Sequence, residues 1–498
     1  MINLRNRRNK YILLLLGLIS LTFAGLNWNV GIAAWIAPVL LLFFSKNSKW
    51  KEHIILFLGI ALSSAISKSA ENLSGMFIIY LTTGLSYGFI YTLPYIFDKL
   101  LTRRGGRLYI TLVFPSAVVL IEYLLSLPFG IWGNAAIAQY SSSNLIQITS
   151  LFGVFGITFL VAWLASILNW MYENRRISDR PGTGLAVYGV VFAAAILFGV
   201  IRTATSSSES NNVKVAAIIG ETDIHHVFDA WKEEIIELSK NSNQEIPAEV
   251  FSTSEALMSQ IERTREAVSG GAKIVVWNEM SLILKKTQVD KLVPEIQDIC
   301  RKNQVYILLA FLERQEGGLP KPFNNKSLLI KPDGEIAWEY LKYFLNPMEG
   351  LVINQGEGTI PIINTEYGRI ANVICADLDL SGYISQAGKE SADIVLVPAF
   401  DWEGVVQYHA NMAAFAAIQY GMAIIRANGK GIVAFYDYLG DRLEEANTFH
   451  SDSSIFYAVI PLNSVTTPYT VIGNLFVYVW MVFLIFIAAV RISGRLVI

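Results

Sequence analysis

Between Leu108 and Met171 the chain carries a single acidic or basic residue, Glu122. Water does not solvate so long a stretch with so little charge, so lipid or a very large core has to. The whole chain leans the same way: 53% of its 498 residues are hydrophobic, only 16% are charged, and the mean hydropathy is +0.43. Apolar segments are read at Tyr11–Leu26, Val30–Ser45, His53–Ile66, Met76–Ile96, Leu108–Phe129, Leu145–Met171 and Leu185–Ile201, with an eighth at Tyr469–Val490. Several reach the roughly 20 residues that a helix needs to cross about 30 Å of hydrocarbon. The first three are short for that purpose. Charged residues are frequent from Ser208 to Ala446. This divides the chain into a membrane domain with seven spans at 1–205, a water-exposed domain at 213–465 and a last span at 469–490.

Basic patches set the orientation. They lie at the amino terminus, Lys46–Lys51, Lys99–Arg107, Arg175–Arg180 and Arg491–Arg495. With eight spans all five fall on one side, which is the cytoplasmic side by the bias of lysine and arginine in short loops. The loops around Lys68–Gly75 and Ile131–Asn144 are poor in basic residues. The region from Arg202 to Pro468 is therefore expected outside the cytoplasmic membrane. The basic start followed by an apolar run also resembles a signal peptide, but spans follow at once, so an uncleaved anchor is the expectation. Glu122, alone in its apolar run, is costly in lipid and reads either as a substrate-adjacent group or as a structural hydrogen-bonding one. After it, Gly130, Gly133 and Gln139–Tyr140 suggest a re-entrant or interfacial stretch.

Past the polar TATSSSESNN, short β-rich runs alternate with helical ones. Strands are expected at Val213–Gly220, Lys273–Trp277, Val305–Leu312, Lys326–Lys331, Glu335–Tyr340, Thr359–Asn364, Gly368–Ile374, Ile394–Val397, Met422–Arg426, Ile432–Tyr436 and Ile455–Val459. Helices are expected at Phe228–Asn241, Ser252–Ser269, Lys291–Lys302 and Tyr408–Tyr420. Pro332–Asp333–Gly334 marks a reverse turn, and Thr365–Tyr367 a second hairpin. The pattern predicts a two-layered β core covered by helices.

Three polar residues stand at strand-like edges in that domain: Glu279 in IVVWNEM, Lys342 in YLKYFLNPMEG, and Cys375 in RIANVICADLDL. Ile370, Val373 and Ile374 bring the cysteine to the point where polar residues take over. A cysteine, a carboxylate and an ammonium suffice for acyl transfer or amide hydrolysis through a thioester. Cys375 would attack a carbonyl, Glu279 would take and return its proton, and Lys342 with the following backbone N–H would face the oxyanion. The plainer alternatives are a buried cysteine acting as a small hydrophobe and a surface lysine at a strand end. The other cysteine, Cys300, reads as helix packing. Two cysteines at this spacing make no cysteine metal site, and none of the five histidines forms a metal motif; the adjacent His225 and His226 read as surface. A net charge of −2 with no basic stripe gives nucleic acid no footing.

The segment from Val213 to Val459 resembles the nitrilase superfamily, through VVWNE, YLKYFLNPMEG and YGRIANVICADLD in that order. The layout of spans, domain and last span is similar to the bacterial apolipoprotein N-acyltransferase family. That resemblance implies an αββα sandwich on the outer face of the cytoplasmic (inner) membrane. It also implies an activity: moving an acyl chain from a phospholipid to the α-amine of the diacylglyceryl-cysteine of an apolipoprotein. By the same likeness Glu279 is the base, Lys342 the oxyanion partner, Cys375 the nucleophile and Glu349 a second essential carboxylate. Trp277 precedes the glutamate, Glu122 matches a glutamate before the membrane-mouth stretch PFGIWGNAAIAQYSSS, and His409 falls where the family has a glutamine–histidine pair. Arg426 and Asn428, in a strand and turn like the family's, read as architectural. Tyr343 and Trp402 are candidate lining for substrate. No cofactor and no metal are implied, and a monomer is expected.

Several positions depart from the family pattern. Asn278 replaces a proline, Met348–Glu349–Gly350 puts Glu349 one residue early, Ala376–Asp377 replaces Tyr–Glu, and Phe400–Asp401–Trp402 is a loose match. These bear on the pocket that chooses donor and acceptor. A membrane-anchored amidase, an acyltransferase with another amine or hydroxyl acceptor, and a transporter or non-catalytic scaffold are the competing readings.

Overall fold

A computed structural model of the chain describes residues 7–26, 28–69, 77–103, 106–175, 182–206, 211–220, 248–315 and 321–493. The expected helix Phe228–Asn241 and the His225–His226 pair lie outside these residues. The chain divides into two units, Met1–Ser206 with Thr467–Ile498, and Ser207–Thr466.

The first unit is helical because its apolar residues run without break and leave backbone polar groups no partner but each other. Its long helices are α1 (Arg7–Ala24), α2 (Gly31–Lys46), α3 (His53–Ser69), α4 (Phe77–Leu101), α5 (Val113–Phe129, entered through a 3-10 turn at Leu108–Leu112), α6 (Val154–Asn174) and α7 (Thr183–Ala204). A C-terminal helix, Leu475–Ile492, completes the set. Each expected apolar segment thus holds a helix. By length and composition, four among the described residues suffice to cross a membrane: Leu108–Phe129, Val154–Asn174, Thr183–Ala204 and Leu475–Ile492. Helix α2 is apolar but shorter, and α1 opens on Arg7, Arg8 and Lys10.

Two segments read as single spans are broken. Leu145–Met171 begins as two one-turn helices, Ser143–Ile146 and Thr149–Phe152, before α6. Tyr469–Val490 begins with the short helix Pro468–Ile472. The breaks fall at Gly153 and Gly473, both at positive φ (63° and 56°). They are linked: a Cβ on Gly153 would sit 2.6 Å from the ring of Tyr469. Only a residue without a side chain lets the two turns approach. Hydropathy does not register such a stop, since every residue involved is tolerated in lipid.

The second unit is a sandwich. One sheet has the order β13-β1-β2-β4-β5-β6, with β3 against β4. Its strands are β1 (Asn212–Ile218), β2 (Ile274–Trp277), β3 (Ile283–Leu284), β4 (Tyr306–Arg314), β5 (Phe323–Ile330), β6 (Ile336–Leu341) and β13 (Ile455–Pro461). The other has the order β12-β11-β10-β9-β8-β7. It holds β7 (Ile362–Thr365), β8 (Gly368–Asn372), β9 (Ile394–Ala399), β10 (Ala423–Asn428), β11 (Ile432–Tyr436) and β12 (Arg442–Asn447). Val215, Val276, Leu308 and Leu329 of the first sheet pack against Ile370, Leu396, Ile425 and Val433 of the second. Alternation sends the opposite residues outward. Val275, Trp277, Ile307 and Leu309 meet helices α8 (Ser254–Ser269) and α9 (Lys286–Asn303). On the far side α11 (Ser381–Lys389) and α12 (Val406–Tyr420) cover the second sheet, while α10 (Glu349–Val352) is a single turn in the loop after β6.

Both predicted hairpins are present, β5–β6 and β7–β8. Gly334 takes φ +84° in the first, the conformation a Pro-Asp-Gly turn asks for. The reading missed β3, two residues long, and β12, whose sequence RLEEAN carries charge on an open edge. Edge strands often carry charge to prevent further pairing, so their hydrophobic pattern is weak.

Candidate active site

Three strand ends of the sandwich converge. β2 ends at Trp277, and Glu279 follows two residues later. β6 ends at Leu341, and Lys342 is next. β8 ends at Asn372, and Cys375 opens a 3-10 turn, Cys375–Asp379. All three side chains are buried. A charged side chain survives there only when paired, and these are. Lys342 Nζ lies 2.8 Å from Glu279 Oε1 and 2.6 Å from Glu349 Oε1. Asn325 Nδ2, from β5, donates to the same Glu279 oxygen at 2.7 Å. The second oxygen of Glu279 is buried with no hydrogen-bond partner among the described residues. An unsatisfied carboxylate oxygen at such a site is a place to put a proton.

Glu349 reaches the lysine despite its shifted position because the turn before it is tight. Asn346 Oδ1 accepts from Met348 N and Glu349 N at 2.9 and 3.0 Å, and Glu349 Oε2 accepts from Asn346 N at 2.9 Å. The turn folds the carboxylate back onto Lys342.

Charge and burial act together on these groups. Burial and the Glu349 charge push Glu279 above the ordinary carboxylate range, against the pull of Lys342. Burial alone would lower Lys342, but Glu279 and Glu349 overcome it and hold the ammonium well above its usual range. Burial and the Glu279 charge push the Cys375 thiol well up, with Lys342 opposing. The sulfur thus rests as a thiol, next to a base whose proton affinity is raised. Attack and proton transfer then occur together.

Cys375 takes φ +51°, in the left-handed region that costs a residue with a Cβ. Asp377 holds that turn. Its carboxylate accepts from Ile374 N (3.1 Å), Tyr340 Oη (2.6 Å), Phe344 N (2.6 Å) and Tyr343 N (3.2 Å). One side chain therefore ties the cysteine turn to the loop that follows Lys342. Burial raises Asp377 to about 6 despite these bonds.

The other expected site residues are distributed unevenly. His409 is buried beside the cysteine: its Nδ1 is 2.7 Å from Asp401 Oδ1 and its Nε2 is 3.1 Å from Asp379. Tyr343 is half-buried with its ring stacked on Tyr383 at 4.6 Å. Trp402 is half-buried, its ring N–H enclosed without an acceptor. Trp277 is not at the site surface. It is fully buried in the layer between the first sheet and α8, donating to Thr264 Oγ1 at 3.1 Å. Alternation along β2 sets it with Val275 on the face toward the helices, where it packs. Glu122 belongs to the first unit. It accepts from Asn134 Nδ2 (2.6 Å), Thr158 Oγ1 (2.5 Å) and Ala135 N (3.3 Å). Those bonds pin the polar stretch after α5.

Sequence reading missed Asn325, Tyr340, Asp379 and the part played by Arg426 and Asn428. Asn325 offered one signal, a polar residue inside the apolar-bounded strand FNNKSLLI. Arg426 Nη2 donates to both oxygens of Asp401 (2.9 and 3.0 Å), and Asn428 Nδ2 to one (2.8 Å). The sulfur of Cys375, a ring nitrogen of His409 and a carboxylate oxygen of Asp401 all lie within 4.8 Å of one another, a donor set of metal-binding type. Arg426, 2.9 Å from His409 Nδ1, already supplies the positive charge there, so the donor set does not suit a cation.

The match to known families follows the same division. Residues 17–167 match the model of the apolipoprotein N-acyltransferase N-terminal domain, and residues 221–467 that of the carbon-nitrogen hydrolases. The apolipoprotein N-acyltransferase of Borreliella burgdorferi is 23% identical over 460 residues, 82% of this chain and 79% of its own. Apolipoprotein N-acyltransferase 1 of Treponema denticola is 23% identical over 492 residues, 89% and 88%. The chain is a homologue of the apolipoprotein N-acyltransferases. Among solved structures, an amidase from Nesterenkonia sp. overlaps 51% of this chain and 92% of its own, at 15% identity and TM-score 0.37. The homology and the apolar helices make the chain a multi-pass inner-membrane protein with a nitrilase-superfamily domain.

Departures from the apolipoprotein N-acyltransferase pattern are absorbed locally. Asn278 stands where those enzymes usually have proline. Its Oδ1 accepts from Gly220 N at 2.8 Å, its Nδ2 donates to Glu279 O at 2.8 Å, and its own N–H donates to Ile218 O at 3.0 Å. These three hydrogen bonds fix the chain between Trp277 and Glu279.

Proposed function

We propose that the chain is an N-acyltransferase that carries an acyl group on Cys375 from a membrane phospholipid to the α-amine of a diacylglyceryl-cysteine at an apolipoprotein terminus. In the first half-reaction Cys375 Sγ attacks the ester carbonyl as its proton passes to Glu279. The carbonyl oxygen becomes an oxyanion facing Lys342 and the N–H of Ala376. The C–O bond breaks, and Glu279 returns the proton to the departing lysophospholipid oxygen, leaving a thioester. In the second half the amine attacks the thioester, Glu279 takes a proton from nitrogen, and the thiol is regenerated with an amide as product. Atoms and electrons balance without a cofactor.

The observation that carries this reading is the free, buried oxygen of Glu279 beside the doubly paired Lys342. Such a base with a raised proton affinity is what both half-reactions need. The membrane unit supplies the rest of the argument: a soluble amidase has no use for it, whereas a long acyl chain gains about 0.8 kcal/mol for each methylene kept from water. An apolar cluster of Phe251, Met280, Phe323, Val352 and Phe400, with Leu345 against it, includes the residue that follows Glu279 and fits the first stretch of such a path. The orientation that goes with this reading places the second unit outside the inner membrane, with eight spans. The bonds of Glu122 to Asn134, Ala135 and Thr158 favour a structural role for it over one in transport.

The test uses full-length protein in phospholipid–detergent micelles. Incubation with phospholipid labelled in the acyl chain is expected to add one acyl mass to the Cys375 peptide, and a diacylated lipopeptide is expected to remove it as an amide. Cys375→Ala should insert and fold and capture nothing. Capture by that variant, or by another residue in the parent, rejects the mechanism; capture without transfer to the lipopeptide rejects the acceptor.

A further inference from the structure

Four buried charged side chains form one bonded cluster that adjoins Cys375. Asp379 comes from the cysteine turn, Asp401 from the loop after β9, His409 from α12 and Arg426 from β10. His409 is clasped between the two aspartates, 2.7 Å from Asp401 and 3.1 Å from Asp379, and Arg426 is bonded to both oxygens of Asp401. All four are almost wholly inaccessible. With His409 protonated, the block counts two cations against two anions. It adjoins the nucleophile: sulfur, ring nitrogen and carboxylate oxygen lie within 4.8 Å of one another.

A lone aspartate at that distance would make the thiolate hard to form. We infer that His409, together with Arg426, masks the Asp401 charge beside Cys375 and so serves as a positioning residue that keeps the thiol ionisable. The inference rests on Cys375 being the reacting sulfur. Burial and the neighbouring Arg426, 2.9 Å from Nδ1, work against a charged imidazole, yet Asp379 and Asp401 raise His409 to about 9, so the ring keeps its proton at neutral pH. Burial and Glu279 raise the thiol and Lys342 lowers it; Asp401 then adds to the rise and Arg426 opposes it. The masking also explains why a histidine–arginine–aspartate cluster is tolerated in the core at all. Removing any one member leaves a buried charge unpaired.

Alkylation of Cys375 by iodoacetamide, followed by peptide mass from pH 6 to 9 in the full-length protein, reads the thiol without any acyl substrate. His409→Gln leaves the block at net −1, so the alkylation rate across this pH range should fall roughly tenfold, the equivalent of moving the profile up by about one pH unit. Asp401→Asn leaves it at net +1 and should move the profile the other way. Tyr436→Phe is the control for loosened packing. Its hydroxyl donates to Ala410 O on the same helix at 2.7 Å, and losing it changes no charge. That variant should leave the profile in place. An unmoved profile in His409→Gln, equal shifts in His409→Gln and Tyr436→Phe, or shifts of one sign in His409→Gln and Asp401→Asn overturn the inference. Acyl capture from labelled phospholipid, measured beside it on the parent, tests the proposed reaction separately: a pH profile that responds in a protein that captures no acyl group sinks that reaction and leaves the masking standing.

Discussion

Lys342→Met is the perturbation that most directly probes the site. The ammonium is 3% exposed and bonds two carboxylates, Glu279 (1%) and Glu349 (14%), at 2.8 and 2.6 Å. Solvent screens almost nothing at that depth, so the change leaves two like charges facing each other in a dry pocket. Breaking a buried pair by removing one partner costs about 3–5 kcal/mol. The carboxylates have a way out, because one of them can take a proton. Glu279, already raised by burial, rises further once the lysine is gone. A carboxyl group whose folded pKa lies above its unfolded value contributes stability that is present below the unfolded value, near pH 4, and lost as pH rises through the folded one. The variant should therefore melt close to the parent at pH 5 and fall progressively below it toward pH 8. Adding Glu279→Gln should restore most of the stability, since a neutral amide then occupies the unpaired position, but none of the acyl capture. Loss of an oxyanion partner alone predicts a decrease of about a hundredfold to a thousandfold in capture. Thermal unfolding in micelles across pH, with labelled phospholipid for capture, tests both arms. A Lys342→Met protein that melts with the parent at pH 8 and captures acyl chain at the parental rate would refute the whole description of the site.

Three further outcomes follow from the same geometry. Asn278→Pro, which restores the residue usual in the family, should destabilise by about 1–3 kcal/mol in thermal unfolding, because it deletes the N–H bonded to Ile218 O and the acceptor for Gly220 N. Glu122→Ala should lower the melting temperature of the membrane unit while Glu122→Gln lowers it less, since Asn134, Ala135 and Thr158 lose the Glu122 carboxylate as acceptor in the first and keep an amide oxygen in the second. His409, raised from 6.5 to about 9, contributes stability that is complete below pH 6.5 and lost as pH climbs through 9. Its size is about 3 kcal/mol. Unfolding midpoints should decline across that window in the parent and stay flatter in His409→Gln; equal slopes would reject a buried imidazolium.

The linear chain determined what depends on local pattern. Uninterrupted apolar runs made eight helices legible, because a backbone in an apolar setting has only itself to bond to. Alternating β-branched runs made most of the strands legible, and a Pro-Asp-Gly turn set one hairpin. Glu279, Lys342 and Cys375 were recognisable because each stands where such a strand gives way to polar residues. What the fold alone decided is everything that depends on distance between remote residues. Glu349 meets Lys342 only through the Asn346 turn. Asn325, 46 positions from Glu279, takes one of its oxygens and leaves the other free. Trp277 proved to face the helices, which no motif position states and strand register does. The Gly153 break meets a tyrosine ring, Tyr469, brought from far along the chain. The charge block of Asp379, Asp401, His409 and Arg426 draws on four separate elements, so its neutrality is a property of packing and of no stretch of sequence. Periodicity encodes which face of an element is buried, whereas electrostatic pairing falls off with distance in space and is blind to order along the chain.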